Sequence, residues 1–270
     1  MADFVPLPPH VLFIIDRLTK AGFRADIVGG CVRDILLGTT PHDYDITTAA
    51  RPEDMHRIFF DVRTVDTGIR HGTLTVFLDK IPYEITTYRV DGTYVDHRHP
   101  DSVSFTDRLS DDLSRRDFTM NAICYHPIYG FTDLFGGQED IKRRLIRAVG
   151  YPARRFEEDA LRILRALRFS ATLGFEIEKD TAVAAENKRE LLPAVSAERI
   201  YSELMKLLGG TDARRVLTQY PSVFASALPE AVTENLPSFA GLCAQLRFIS
   251  LFVRADRPTD AFLRATERLH

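Results

Sequence analysis

The sequence predicts an α+β fold: a mixed sheet with helices over residues 1–145, followed by an all-helical remainder. Three observations carry this. Short strand-like and helix-period segments alternate through roughly the first ninety residues. Two consecutive β-rich runs, TLTVFL and YEITTYRV, read as a hairpin. From about Phe156 onward, apolar residues recur almost wholly at helical spacing.

In chain order, HVLFIIDRLTKA (10–21) has helical apolar spacing and stops at Gly22. ADIV (25–28) reads as a strand, and CVRDILL (31–37) as a helix closed by Gly38. DYDIT (43–47) is a strand, and PEDMHRIFF (52–60) a helix with an acidic first turn. TLTVFL (73–78) and YEITTYRV (83–90) follow, joined by a short DKIP turn. The polar stretch 91–111, rich in Asp, His and Ser, reads as a structureless segment, either functional or mobile. Breaks in the helical remainder fall near Gly174, Pro193, Gly209-Gly210, Pro221 and Pro229.

At 270 residues, 45% apolar and 27% charged, the chain has the composition of a soluble globular protein of two or more modules. No apolar run approaches the roughly 20 residues of a membrane span, and the N-terminal MADFVPLPPH lacks the regions of a signal peptide. Cys31, Cys124 and Cys243, odd in number and widely spaced, fit neither a disulfide framework nor a zinc site. The expected compartment is the cytoplasm, with no membrane partner; nothing in the sequence fixes an oligomeric state. The net charge of −3 is uneven, because Lys142 to Arg168 holds nine basic residues against three acids. A basic block in an otherwise acidic chain fits a polyanion bound at one place, and fits solvated helix faces equally well.

The stretch VGGCVRDILLGTTPHDYDITTAA (28–50) holds the first candidate chemistry. On a strand, Asp43 and Asp45 point to the same side. Two carboxylates so close repel unless a cation lies between them, and Mg²⁺, shared between carboxylates and substrate phosphates, suits that place. Glu84 supplies a third carboxylate if its strand lies beside DYDIT. A lone D-x-D is more often a surface turn, but Gly29-Gly30 before a helix lets backbone N–H groups approach phosphates. The glycines do not form G-x-G-x-x-G, and no acid-ended strand follows about 20 residues on, so a dinucleotide-binding reading fails.

The run GGCVRDILLG followed by DYD resembles the opening motif of the class II tRNA nucleotidyltransferase and bacterial poly(A) polymerase superfamily. The resemblance continues, in order, with RRDFTMNAI (115–123) and GYPARRFEEDALRILRALRF (150–169), and more loosely with ERIYSELMKLL (198–208). It covers roughly residues 8–210. It implies a polymerase beta-like nucleotidyltransferase head over 1–145, a helical neck for base recognition over 146–208, and a partial helical body over 209–270. It further implies Asp43 and Asp45 as metal ligands of a two-metal Mg²⁺ site; Glu84 is a third catalytic carboxylate on the strand-adjacency reading alone. Gly29, Gly30 and Arg33 then lie near a triphosphate. Arg115, Arg116, Asp117 and Asn121 form a sugar and phosphate contact, since guanidinium forks suit phosphate oxygens and Asp and Asn suit ribose hydroxyls.

Asp159 and Arg162 are three apart on an expected helix, hence neighbours on one face. Asp only accepts and Arg only donates. Cytosine and adenine both present an amino donor beside a ring-nitrogen acceptor, whereas uracil and guanine reverse the pair. Such a pair therefore takes C and A and rejects U and G, whose polar groups would be left unpaired; a helix-surface ion pair is the plainer reading without the family context. Arg165 stays near that face and reaches phosphate or base, while Arg168 is structural or RNA-facing. The implied function is template-independent addition of CMP and AMP from CTP and ATP to the tRNA 3′ end. Rivals are a C-adding or A-adding relative, a poly(A) polymerase, and a non-catalytic RNA-binding remnant. The poly(A) form usually has an arginine-rich block soon after D-x-D, where this chain has DTGIRHGTLTVF (66–77). Relatives continue for over a hundred residues past the equivalent of His270, which bears on tRNA affinity.

Other signals are weaker. His42-Asp43 has no second His/Asp cluster to make a phosphohydrolase, and His97-x-His99 in a polar stretch reads as solvated or RNA-facing. KRRLIR (142–147) fits an acceptor-stem contact or a solvated helix end. Ile163, Leu164, Leu167 and Phe169 read as core. The 91–111 stretch is expected to move with the incoming nucleotide.

Overall fold

The computed structural model describes residues 5–92 and 103–269. The chain divides into two compact units, the first ending at Arg143 and the second beginning at Arg144.

In the first unit, α1 (Pro9–Lys20) starts on a proline, which needs no N–H partner there, and buries Val11, Ile14, Ile15 and Leu18 along one stripe. Gly22, at φ +90°, ends it. Next come β1 (Ala25–Val28), buried along its whole length, and α2 (Gly30–Leu36), stopped by Gly38 at φ +74°. They are followed by β2 (Ile46–Thr48), α3 (Pro52–Ile58) and β3 (Thr64–Val65). A hairpin of β4 (Thr73–Leu78) and β5 (Ile81–Thr87) leads to β6 (Arg89–Asp91), then β7 (Val103–Phe105) and α4 (Leu109–Ser114). The unit closes with β8 (Ile123–His126), β9 (Gly130–Asp133) and α5 (Gly137–Lys142).

The main sheet runs β3-β4-β5-β2-β1-β8-β9. Its neighbours are antiparallel except β2 and β5, which are parallel because α3 and β3–β4 intervene between them. The strand expected over 43–47 begins only at Ile46, so Asp43 and Asp45 lie in its lead-in. The expected DKIP turn shrinks to Asp79 and Lys80, at φ 49° and 67°, a two-residue turn whose twist matches the flanking strands. YEITTYRV is split at Tyr88: β6 leaves the sheet and pairs with β7. The 91–111 stretch is therefore not structureless where described, since it carries the end of β6, all of β7 and the start of α4. His97 and His99 lie outside the described residues.

In the second unit a short parallel pair, β10 (Leu145–Ile146) with β11 (Glu176–Ile177), has no signal in the sequence pattern. Otherwise the unit is helical: α6 (Pro152–Glu158), α7 (Leu161–Leu173), α8 (Lys179–Asn187) and α9 (Ala197–Gly209), then α10 (Ala213–Gln219), α11 (Pro221–Ala227), α12 (Ala244–Ser250) and α13 (Pro258–Leu269). Gly174 ends α7 at φ +65°, Pro193 lies in a 3₁₀ segment, and Pro221 opens α11. Ile163, Leu164, Leu167 and Phe169 are buried, as expected. α7 packs on α9, where Arg168 Nε meets Glu203 Oε2 at 2.6 Å, so Arg168 has a structural partner. Among the described residues no helix is long and apolar enough to cross a membrane.

Gly137 has no room for a side chain. A Cβ on Gly137 would fall 2.2 Å from the carbonyl oxygen of Thr119, at the turn that carries Asn121. Gly137→Ala is expected to destabilise the protein by about 1–3 kcal/mol, outweighing the helix-propensity gain of about 1 kcal/mol. Gly209→Ala, with nothing within 4 Å of its Cβ, serves as the control and leaves the melting temperature level or raised. Thermal unfolding followed by circular dichroism checks both.

Candidate active site

β1 runs into Gly29, whose backbone (φ 82°, ψ −131°) belongs to a region that residues with a Cβ seldom adopt. Val28 N donates to Asp45 O at 3.0 Å, extending the β1–β2 ladder past its last paired strand residues. The pairing therefore sets Asp45 beside the glycine turn. A Cβ on Gly29 would sit 3.1 Å from Arg116 Nη1 and 4.0 Å from Asp45 Oδ2. Backbone, cation and carboxylate thus share one small space, open only because residue 29 has no side chain. Gly30 opens α2, with Arg33 Nη2 3.7 Å from where its Cβ would be. α2 is only seven residues long, so proximity counts for more here than its dipole.

The acids gather at the same end of the sheet. β2 pairs in parallel with β5 at Ile46 and Ile85, and one step back along both strands brings Asp45 beside Glu84. Burial foremost, then the charge of Asp43, pushes the Asp45 carboxyl up to about 6; Arg116 opposes the shift and Glu84 adds to it. Asp43 and Glu84 are exposed, and Asp45 keeps an exposed edge despite the protein packed around it. Among the described residues no three His, Cys, Asp or Glu side chains close into a cage for an ion. Glu84 is therefore brought alongside Asp45 without completing a triad.

The arginines are held by a residue that sequence reasoning passed over. Asp112, on α4, is fully buried. Its Oδ1 accepts from Arg115 Nε at 2.9 Å and Nη2 at 2.7 Å. Its Oδ2 accepts from Arg116 Nη2 and from Thr47 Oγ1, each at 3.2 Å. Burial alone would push the Asp112 carboxyl up, but the two guanidiniums hold it below the usual range. Among the described residues Arg116 Nε is buried with no hydrogen-bond acceptor. A second chain runs through the remaining expected residues. Arg33 Nη1 donates to Asn121 Oδ1 at 2.9 Å, and Asn121 Nδ2 donates to Asp117 Oδ1 at 3.2 Å. Arg33 also pairs with Asp34 at 2.7 Å.

In the second unit the expected helix-face pair is corrected. α6 ends at Glu158, and Asp159 is extended (φ −143°, ψ 104°), so Asp159 and Arg162 flank a helix break. Each has its own partner. Asp159 Oδ1 accepts from Leu161 N at 3.1 Å, and Oδ2 accepts from Arg199 Nη2 at 2.8 Å, reaching across from α9. Arg162 Nη1 donates to Glu158 Oε2 at 2.8 Å and to Arg155 O at 3.2 Å. Arg155 Nη2 takes the other oxygen of Glu158 at 2.6 Å. Arg165 stacks over Phe169, 5.5 Å from the ring centre. Glu158 and Arg199 are functional candidates missed in the sequence. The first sat in the quoted EEDALR run, and the second in the loosely matched ERIYSELMKLL block.

Residues 25–147 match the family model for the poly A polymerase head domain. Residues 174–220 match that for the probable RNA and SrmB-binding site of polymerase A. A CCA-adding enzyme of Lactobacillus delbrueckii subsp. bulgaricus is 44% identical over 88% of this chain and 58% of its own length. One from Geobacillus stearothermophilus is 44% identical over 91% of this chain and 59% of its own. The chain thus spans under two thirds of these curated relatives. The crystal structure of the Bacillus stearothermophilus CCA-adding enzyme in complex with CTP superposes with a TM-score of 0.75 at 38% identity, over 97% of this chain and 68% of that one.

The crowding at Asp45 has a measurable sign. Its folded value, about 6, lies above the ordinary 3.8, so the native state holds this proton more tightly than the unfolded chain. Its ionisation opposes folding: the penalty is absent below about pH 4, grows as pH rises, and is complete above about pH 6. In chelator, Asp45→Asn should therefore melt higher than the wild type at about pH 8, the gap closing toward about pH 4. A gap independent of pH in paired melting curves would rule out charge crowding.

Proposed function

The chain belongs to the CCA-adding enzyme family built on the poly A polymerase head domain, and from that premise we propose that it adds CMP and AMP, from CTP and ATP, to the 3′ end of tRNA without a nucleic-acid template. The observation that carries this reading is the meeting of Asp45, Arg116 and the bare backbone of Gly29 within one small space. A triphosphate needs such a mixture: donors for its oxygens and carboxylates for its cation.

In this reading the RNA 3′ oxygen attacks the α-phosphorus. The new O–P bond forms as the bridging bond to the β-phosphate breaks, pyrophosphate leaves, and the hydroxyl proton passes to solvent. Arg116 and Arg33 donate to phosphate oxygens, with Arg115 supporting; Asp117 and Asn121 face the sugar. Asp43 and Asp45, with Glu84 alongside, would hold Mg²⁺, which supplies a lowered hydroxyl pKa and charge balance for pyrophosphate. The fit is chemical. Burial raises Asp45's pKa most, and the like charges that add to it are those a hard dication relieves; Mg²⁺ needs only one or two protein carboxylates when phosphates supply other ligands.

Asp159 as acceptor and Arg162 as donor then read the base, with Arg199 and Glu158 holding them in place. Residues 1–145 serve as head, 146–208 as neck and 209–270 as part of the body. A tRNA substrate is compatible with a cytoplasmic location.

The deciding experiment offers tRNAs ending before CCA, after C and after CC, with each labelled nucleotide and Mg²⁺. Ordered C, C, A incorporation is expected. Long A tails, or C or A alone, would select the poly(A), C-adding or A-adding relatives; a folded sample that incorporates nothing would overturn the enzyme reading. Asp43→Ala should abolish transfer while the melting temperature stays level or rises, since its charge crowds Asp45. Asp159→Ala combined with Arg162→Ala should relax base choice, seen as UMP or GMP incorporation, and unchanged selectivity would refute base reading by these side chains.

A further inference from the structure

We propose that Asp112 is a positioning residue that sets the cationic half of the site against its acidic half. The inference rests on the nucleotidyl-transfer reading. Asp112 cannot touch a substrate: it is 0% exposed, and both oxygens are taken. What it holds is the point. Oδ1 receives two donors from Arg115, while Oδ2 receives Arg116 Nη2 and Thr47 Oγ1. Thr47 belongs to β2, two residues after Asp45, and Arg116 presents its other terminal nitrogen to the Gly29 turn. A single buried anion thus ties the arginine fork to β2, the strand that directly follows the carboxylates proposed to hold Mg²⁺. A flexible guanidinium has many rotamers, and a buried bidentate anchor selects among them before the nucleotide arrives.

A buried carboxylate of this kind is stable only while its cations stay, and they keep their aim only while it stays. Asp112→Asn preserves volume but turns an amide N–H toward a guanidinium. The arginine fork should then swing from its place, and weak triphosphate binding should follow. The expected result is a KM for CTP and ATP raised about 10- to 100-fold, with kcat changed much less. CTP binding in Mg²⁺, measured by calorimetry, should weaken by a similar factor. Because Asp112 acts through Arg116, its effect should nearly vanish on an Arg116→Ala background. A purely structural role would instead lower the melting temperature while leaving KM and CTP affinity at wild-type values.

Wild-type CTP affinity and KM in folded Asp112→Asn, or losses that simply add to those of Arg116→Ala, would overturn the inference. If Asp112→Asn fails to fold, Thr47→Val decides. It removes the tether to β2 and keeps the charge, so it should raise KM several-fold in wild type but not with Arg116→Ala; an unchanged KM overturns the inference. A wild-type protein that binds no CTP would remove the nucleotidyl-transfer reading itself, and this inference with it.

Discussion

Repulsion among carboxylates at the open end of one strand pair is the constraint to which the head is fitted. The β1–β2 register and the parallel β2–β5 register together place Asp45 beside Glu84 and behind Gly29. Neither position can shift by one residue without turning buried Ile27, Ile46 and Ile85 out of the core. The core therefore enforces a cluster that electrostatics disfavours. Arg116 moderates it, but its guanidinium stays there because Asp112 anchors it. Hydrophobic packing fixes the acids, and a buried anion fixes the cation that makes them tolerable.

The second unit handles charge differently. Its basic block looks in sequence like a bare cationic face, yet many of its arginines have specific partners. Arg155 and Arg162 share Glu158, and Arg168 meets Glu203. Lys142, Arg143, Arg144 and Arg154 are exposed; Arg144 also lies over Phe175, and Arg154 meets Glu158. Paired arginines keep a fixed geometry but add less long-range field than a formal count implies. The block is better described as an arginine-braced scaffold with a cationic end than as a polyanion track.

Much of this fold was legible in the sequence where backbone geometry restricts residue choice. β1 was read to the residue, and the glycine stops of α1, α2 and α7 were visible because a left-handed terminal residue favours glycine. The start of β2 was not, since D-Y-D-I-T alternates like a strand whether or not its first residues pair. The Asp79-Lys80 turn carried no glycine or asparagine signal. Asp43, Asp45 and Gly29 came from a local motif strengthened by the family resemblance, the arginine pair from the resemblance, and Glu84 from an expected strand adjacency that the β2–β5 register bears out. Asp112 and Arg199 stayed hidden because nothing local distinguishes a buried, shared carboxylate or arginine from a solvated one. Their partners lie across the fold or in a turn that folding must first close.

The break between α6 and α7 changes how base choice would work. Asp159 is extended, Arg162 N closes the turn on Asp159 O at 3.0 Å, and each side chain is held by a partner of its own: Arg199 on one carboxylate oxygen, Glu158 on one guanidinium nitrogen. Asp159 Oδ1 is also fixed by Leu161 N, so its carboxylate plane is set before any ligand arrives. An acceptor and a donor held separately can discriminate by geometry, because a base with the reversed pattern meets the wrong group at both positions and cannot rotate either away. On this reading selectivity depends as much on Arg199 and Glu158 as on the two residues that would touch the base.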